Sequence, residues 1–178
     1  ATLEKIVRDP HRRLLIAIRC HRGIVRQVAR RWMDPGRPPP NEDGKPGQKS
    51  MALATAMTGD PDVWGGTWIY GSIPEAVAAI AGGEPLYLVE GAPDYLAASG
   101  VLQVTGGSGA VLGFYNTSTA KRVVEALVRE LGERKIIAPR IVLVPNIDAP
   151  RKRRDGSMPE HGVGTETALA CAELLRGR

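Results

Sequence analysis

The sequence predicts an α/β fold: a mostly parallel sheet flanked by helices, preceded by a small, basic, β-containing subdomain. Three observations predict it. From residue 86 onward, short apolar runs alternate with segments of helical period, which is how strand–helix–strand units read. Glycines and prolines fall between those runs rather than within them. Residues 1–66, by contrast, are basic and rich in Pro and Gly. The expected division is therefore residues 1–66, a basic N-terminal subdomain, and residues 67–178, the α/β domain.

Taken in order, residues 13–33, RLLIAIRCHRGIVRQVARRWM, read as two strands joined near His21-Arg22-Gly23, with Gly23 supplying the turn. Ile24, Val25, Val28 and Trp32 also fit a helical stripe, so the second half stays open between strand and helix. Residues 34–49 are a Pro/Gly-rich loop, residues 50–58 a candidate short helix, and 59–66 irregular. TWIY at 67–70 is a short apolar run. Ser72 is placed to cap a helix over 74–81, with Gly82-Gly83 ending it.

The next run, PLYLVEG, predicts a buried strand over 86–89 that ends on Glu90-Gly91. A short helix is expected over 93–99, stopped by Gly100, then a strand over 101–105 and a glycine-rich GGSG turn. Residues 117–132 form a clear amphipathic pattern. Val123, Val124, Leu127 and Leu131 make its inner stripe, and Thr117 or Ser118 its cap. A third strand, IVLV within 140–145, runs into Asn146-Ile147-Asp148, and 164–175 form the last helix.

Composition bounds the function classes. The chain has 178 residues, 43% hydrophobic and 24% charged, enough for one α/β domain with a smaller flanking element. No apolar run reaches the roughly 18–20 residues that span a bilayer, and the charged N-terminus is not followed by a signal-peptide core. The first residue is not Met, so an excised piece of a longer protein is expected. Cys20 and Cys171 form no CxxC pair, which argues against a zinc ribbon or disulfide framework and suits small buried thiols in a reducing cytoplasm.

The net charge is +5, which favours polyanionic partners. Ten Lys/Arg against three Asp/Glu crowd residues 1–40, and Arg151-Lys152-Arg153-Arg154 form a second cluster. Such runs are either solvated surface or nucleic-acid contacts.

In parallel sheets, function gathers at the carboxyl ends of the strands. Glu90 and Asp148 both occupy such ends. Two acids at neighbouring strand ends can hold Mg2+, a hard cation that prefers oxygen and is anchored by one or two carboxylates. Acids also collect there simply because loops are solvated.

LVEGAPDYLAASG, the later IVLVPNID and a glycine-containing helix start together resemble the Toprim domain of DnaG-type and of phage- and plasmid-type DNA primases. The likeness spans about residues 85–176. The basic strands and Pro/Gly-rich stretch upstream are similar to the segment preceding Toprim in those primases. The resemblance implies a Toprim-like fold and metal-dependent nucleotidyl transfer that makes RNA primers on single-stranded DNA from nucleoside triphosphates. It further implies a cytoplasmic enzyme, possible company of a replicative helicase, and no membrane.

Residue by residue, the resemblance implies Mg2+ or Mn2+ at Glu90 and Asp148. Glu90 would be a metal ligand or the general base. Asn146 stands where the family has the first Asp of Asp-x-Asp; it would be a weaker ligand or donate to a phosphate. Asp94 would be a ligand or cap its own helix. Template phosphates would meet Arg19, Arg22, Arg26, Arg30 and Arg31 in the basic segment. The insertion 149–163, which the family lacks, is basic and follows Asp148; apart from the resemblance, its Arg151, Lys152, Arg153 and Arg154 are expected to grip nucleotide or template phosphates directly, in place of the charge lost at Asn146. Other members of the family suggest two alternatives, a non-catalytic DNA-binding module of RecR type and a Toprim nuclease.

Remaining features have plainer readings. GGSG at 106–109, following the expected strand, is either a phosphate cradle or a tight turn; it lacks the P-loop pattern, which favours the turn. His11, His21 and His161 show no ligand spacing, and Ser108 and Ser118 have no triad partners. Trp32, Trp64 and Trp68 are core residues or base-stacking platforms. Asp155 and Glu160 could be substitute metal ligands. Lys121 and Arg122, opening the long helix, meet either a phosphate or solvent.

Overall fold

A computed structural model describes residues 11, 14–36, 38–40, 44–47, 50–52, 69–137, 140–153 and 155–177. The chain divides into two compact units, Ala1–Ile18 with Val25–Gly66, and Arg19–Ile24 with Thr67–Arg178.

In the first unit, β1 (Leu14–Arg19) lies beside β2 (Val25–Arg31). β2 pairs antiparallel with β3 (Ser50–Ala52), Ala29 facing Ala52. The ambiguous second half of 13–33 is therefore strand. The helix expected over 50–58 begins instead as β3; pairing with β2 satisfies its backbone groups and overrides the helical preference of Met and Ala. Residues 53–58 lie outside the described residues, as do Trp64 and Trp68. Trp32 stacks on His11, ring centroids 5.1 Å apart, and His11 also pairs with Asp34.

The turn after β1 belongs to the second unit. The Gly23 amide donates to the Cys20 carbonyl at 2.9 Å, and Gly23 sits at φ 78. The sheet of this unit runs in the order β4-β6-β5-β7, where β4 is Ile69–Tyr70, β5 Leu86–Glu90, β6 Ala110–Phe114 and β7 Ile141–Val144. β5 is parallel to both β6 and β7, whereas β4 runs antiparallel to β6. The expected mostly parallel sheet is thus a mixed one with a parallel core. The fold class is α/β.

Four helices are described in this unit: α1 (Ile73–Ala81), α2 (Gly91–Thr105), α3 (Thr117–Glu133) and α4 (Val163–Arg176). Ser72 caps α1 by accepting from the Glu75 amide. α3 is capped not by Thr117 or Ser118 but by Asn116, whose side chain accepts from the Thr119 amide at 3.1 Å while the Thr119 hydroxyl closes a capping box. Val123, Val124, Leu127 and Leu131 are fully buried, each contributing about 1.5–3 kcal/mol of apolar burial. They join Ile73, Val77, Leu86, Leu88 and Leu112 in the main core, with Cys171 of α4. Burial pushes the Cys171 thiol above its ordinary value, which keeps it protonated and inert. Tyr95 of α2 stacks on buried Tyr70, centroids 6.1 Å apart.

The largest departure from expectation lies between residues 93 and 114. The helix does not stop at Gly100, and no strand forms over 101–105; α2 runs unbroken from Gly91 to Thr105. A glycine inside a helix costs about 1 kcal/mol but does not end it. The ending comes at Gly106, left-handed at φ 63, whose amide donates to the Leu102 carbonyl. Val101 and Val104, which suggested a strand, are 59% and 87% exposed. The strand is AVLGF at 110–114, in register between β4 and β5. GGSG is a turn, as expected, but one that joins a helix to a strand.

Candidate acidic site at the strand ends

β5 passes into α2 without a linker. Glu90 is the last strand residue and the N-cap of the helix, yet its carboxylate makes no capping bond. Gly91 sits at φ 80, a left-handed conformation that lets the chain turn sharply here. The first turn of α2 then presents Asp94. β7 lies directly beside β5, Val144 opposite Val89, so Asn146 and Asp148 emerge at the same sheet edge as Glu90.

The electrostatics of Glu90 report that these side chains share one field. Its carboxyl is held above the ordinary value of 4.5, first by partial burial, then by the negative charges of Asp148 and Asp94. A hydrogen bond donated by the Asn146 side chain acts in the opposite direction. Four expected site residues, Glu90, Asp94, Asn146 and Asp148, are therefore brought together. Asp94 does not cap its own helix, since the N-cap is Glu90.

Asp148 is fixed by the start of α4. Its Oδ1 accepts from the Gly164 amide at 3.1 Å. A Cβ at Gly162 would meet the Asp148 carbonyl and carboxylate, and one at Gly164 would meet the Asn146 backbone. Both glycines are thus required for the close approach of the 146–148 segment to the helix. The sequence signal for this approach is the pair Gly162-x-Gly164 that opens the last helix, of which a glycine-containing helix start shows only half.

Among the described residues no three His, Cys, Asp or Glu side chains are closed into a metal-holding group. The donor set is nonetheless all oxygen, and its carboxylates already raise the proton affinity of Glu90. That fits a hard divalent ion carried by one or two carboxylates plus water better than a complete protein cage. Asn146 adds no formal charge, and its amide is engaged with Glu90.

The basic residues are distributed differently. The Arg19 guanidinium donates to the Gly23 carbonyl at 2.7 Å, which ties it to its own turn. Arg22 is exposed on that turn, and Arg30 and Arg31 are half-buried and engaged in interactions of their own. The Arg26 side chain and Arg154 lie outside the described residues.

In the insertion, Arg153 donates to Glu166 of α4 at 2.7 Å, whereas Arg151 and Lys152 are exposed. Asp155 accepts from the Ser157 amide and hydroxyl; these bonds hold its carboxyl below the ordinary value and occupy it within its own turn. Glu160 lies 3.9 Å from His161. Lys121 faces Glu125 at 3.8 Å on the surface of α3. No described helix is long and apolar enough to cross a membrane.

No protein-family model matches this chain, and no match was found among curated proteins or solved structures.

Proposed function

We propose that the chain carries the Toprim domain of a DNA primase, and that it performs metal-dependent nucleotidyl transfer to make RNA primers on single-stranded DNA. The observation that carries the reading is the shared field of Glu90, Asp148 and Asp94 at adjacent, parallel strand ends. Glu90 and Asp148 would hold Mg2+ or Mn2+, with Asp94 adding negative charge nearby. A bound ion would supply positive charge against the phosphoryl oxygens of a nucleoside triphosphate. Glu90, with its raised proton affinity, is also suited to take the proton of an attacking hydroxyl. Asn146 orients Glu90.

The test is Mn2+ calorimetry on the native chain and on Asp148→Ala, followed by primer synthesis on a single-stranded template. Saturable binding that is lost in the variant, with primer RNA formed only by the native chain, is the expected result. A folded native chain that takes up no Mn2+ rejects the catalytic reading.

One observation favours a second reading, a DNA-binding module of RecR type without catalysis. The Asn146 amide already occupies part of the Glu90 carboxylate by donating to it, and it brings no negative charge of its own, which weakens the case for a strongly bound cation. Under that reading the chain binds DNA equally with and without Mn2+ and yields no product.

A further inference from the structure

A phosphate-rich ligand approaching Glu90, Asp94 and Asp148 meets like charge, so cations must stand close by if it is to dock there. The insertion after Asp148 is built to supply them. Its near end is Asp148 itself, and its far end is tied back to that residue by the bond from the Gly164 amide. Between the ends, the Arg153 amide donates to the Ser157 carbonyl at 2.9 Å, and the Gly156 amide to the Arg153 carbonyl at 3.0 Å. Gly156 takes the left-handed conformation, φ 88, that this tight turn requires.

The charges within the insertion have separate fates. Arg153 is drawn onto Glu166 of α4 and Asp155 onto Ser157. Arg151 and Lys152, between the Asp148 anchor and the turn, are exposed, and neither enters an ion pair among the described residues. Their side chains stay available to an external anion. An arginine and a lysine side by side offer a planar fork and a compact point charge, both suited to phosphate oxygens.

We infer that Arg151 and Lys152 form a phosphate-binding subsite beside the acidic edge, and that Arg153 is a positioning residue that holds the turn against α4 through Glu166. The ligand chemistry is a phosphate ester anion, either the backbone of a single strand or the polyphosphate of a nucleotide. The proposal deepens the nucleotidyl-transfer reading and rests on it for the choice of ligand. The binding event itself needs no metal.

The experiment is fluorescence anisotropy of a labelled thymidine 20-mer over a salt series in chelator, with unlabelled ATP as competitor. It uses the native chain, Arg151→Ala/Lys152→Ala, Arg151→Gln/Lys152→Gln and Glu166→Gln. Circular dichroism checks folding, and because both cations are exposed the double variants should fold as the native chain does. Each single-strand phosphate contact contributes about −0.7 to the slope of log affinity against log salt, so both double variants should flatten the slope by about 1.4.

If the strand slope flattens and ATP competes only with the native chain, the subsite takes polyphosphate as well as strand. If the slope flattens and ATP competes with neither chain, it takes strand alone. Glu166→Gln, which removes the ion pair but keeps an acceptor for Arg153, should leave the slope as steep as in the native chain. Native slopes in both folded double variants would overturn the proposal. Failure of the nucleotidyl-transfer reading is seen separately, as absence of Mn2+ heat in the native chain whatever the salt slope.

Discussion

The Asp148 carboxylate accepts a hydrogen bond from the backbone amide of Gly164 at 3.1 Å, across the whole basic insertion. One bond therefore ties the segment that follows β7 to the first turn of α4, and it aims one oxygen of Asp148 at the helix. Gly164→Ala should drive a methyl group into the Asn146 backbone and cost about 1–3 kcal/mol, the usual price of forced overpacking. Thermal unfolding measures it. Asp148→Asn, which keeps an acceptor for the same bond, should cost less than about 1 kcal/mol while removing Mn2+ binding. Equal melting temperatures for Gly164→Ala and the native chain would show that the contact is not made.

Glu90 gives the site a defined pH response. Its folded-state value lies above the ordinary 4.5, so the folded protein binds more protons than the unfolded chain between those two values, and stability falls as pH rises through that window. Neutral Glu90 is thus the better tolerated form without metal. Glu90→Gln should raise the metal-free melting temperature at pH 7, and the gain should vanish below about pH 4. Because Glu90 is partly exposed, solvent screening limits the gain to under about 1 kcal/mol, or roughly 2–4 °C for a chain of this size. Mn2+ affinity of the native chain should fall on acidification through the same window, as protons compete for the carboxylate. A pH-independent difference between the two chains contradicts the shared field.

Gly100 sits in the middle of α2, and nothing lies within 4 Å of a Cβ built there. Gly100→Ala should therefore stabilise the protein by about 0.5–1 kcal/mol through helix propensity alone. Chemical denaturation reads the change. A loss of stability would mean that the helix ends at this residue after all.

Asn116→Ala removes the acceptor for the Thr119 amide and should cost about 0.5–2 kcal/mol. Ser118→Ala should cost less, because the Ser118 hydroxyl donates only to the Asn116 side chain. Urea midpoints of the two variants separate the cap from its neighbour.

What the residues alone determined follows from local physics. The stripe of Val123, Val124, Leu127 and Leu131 could only be one buried face of a helix. The Ser72 cap, the Gly23 turn and the uninterrupted apolar runs at 86–89 and 141–144 were equally plain. Glu90 and Asp148 could be placed at strand ends because each directly follows such a run or lies a few residues beyond it. Tertiary structure decided the rest. VLQVT holds three β-branched residues and AVLGF one, so local preference pointed to the wrong segment, and only the pairing of AVLGF between β4 and β5 made it the strand. The direction of β4, which turned a mostly parallel sheet into a mixed one, depended on that pairing too. At the site, the sequence showed four basic residues in a row, but a charge acquires its role from its neighbour. Glu166 takes Arg153 and leaves Arg151 and Lys152 to solvent, a division set by distances between chain segments that no local pattern encodes.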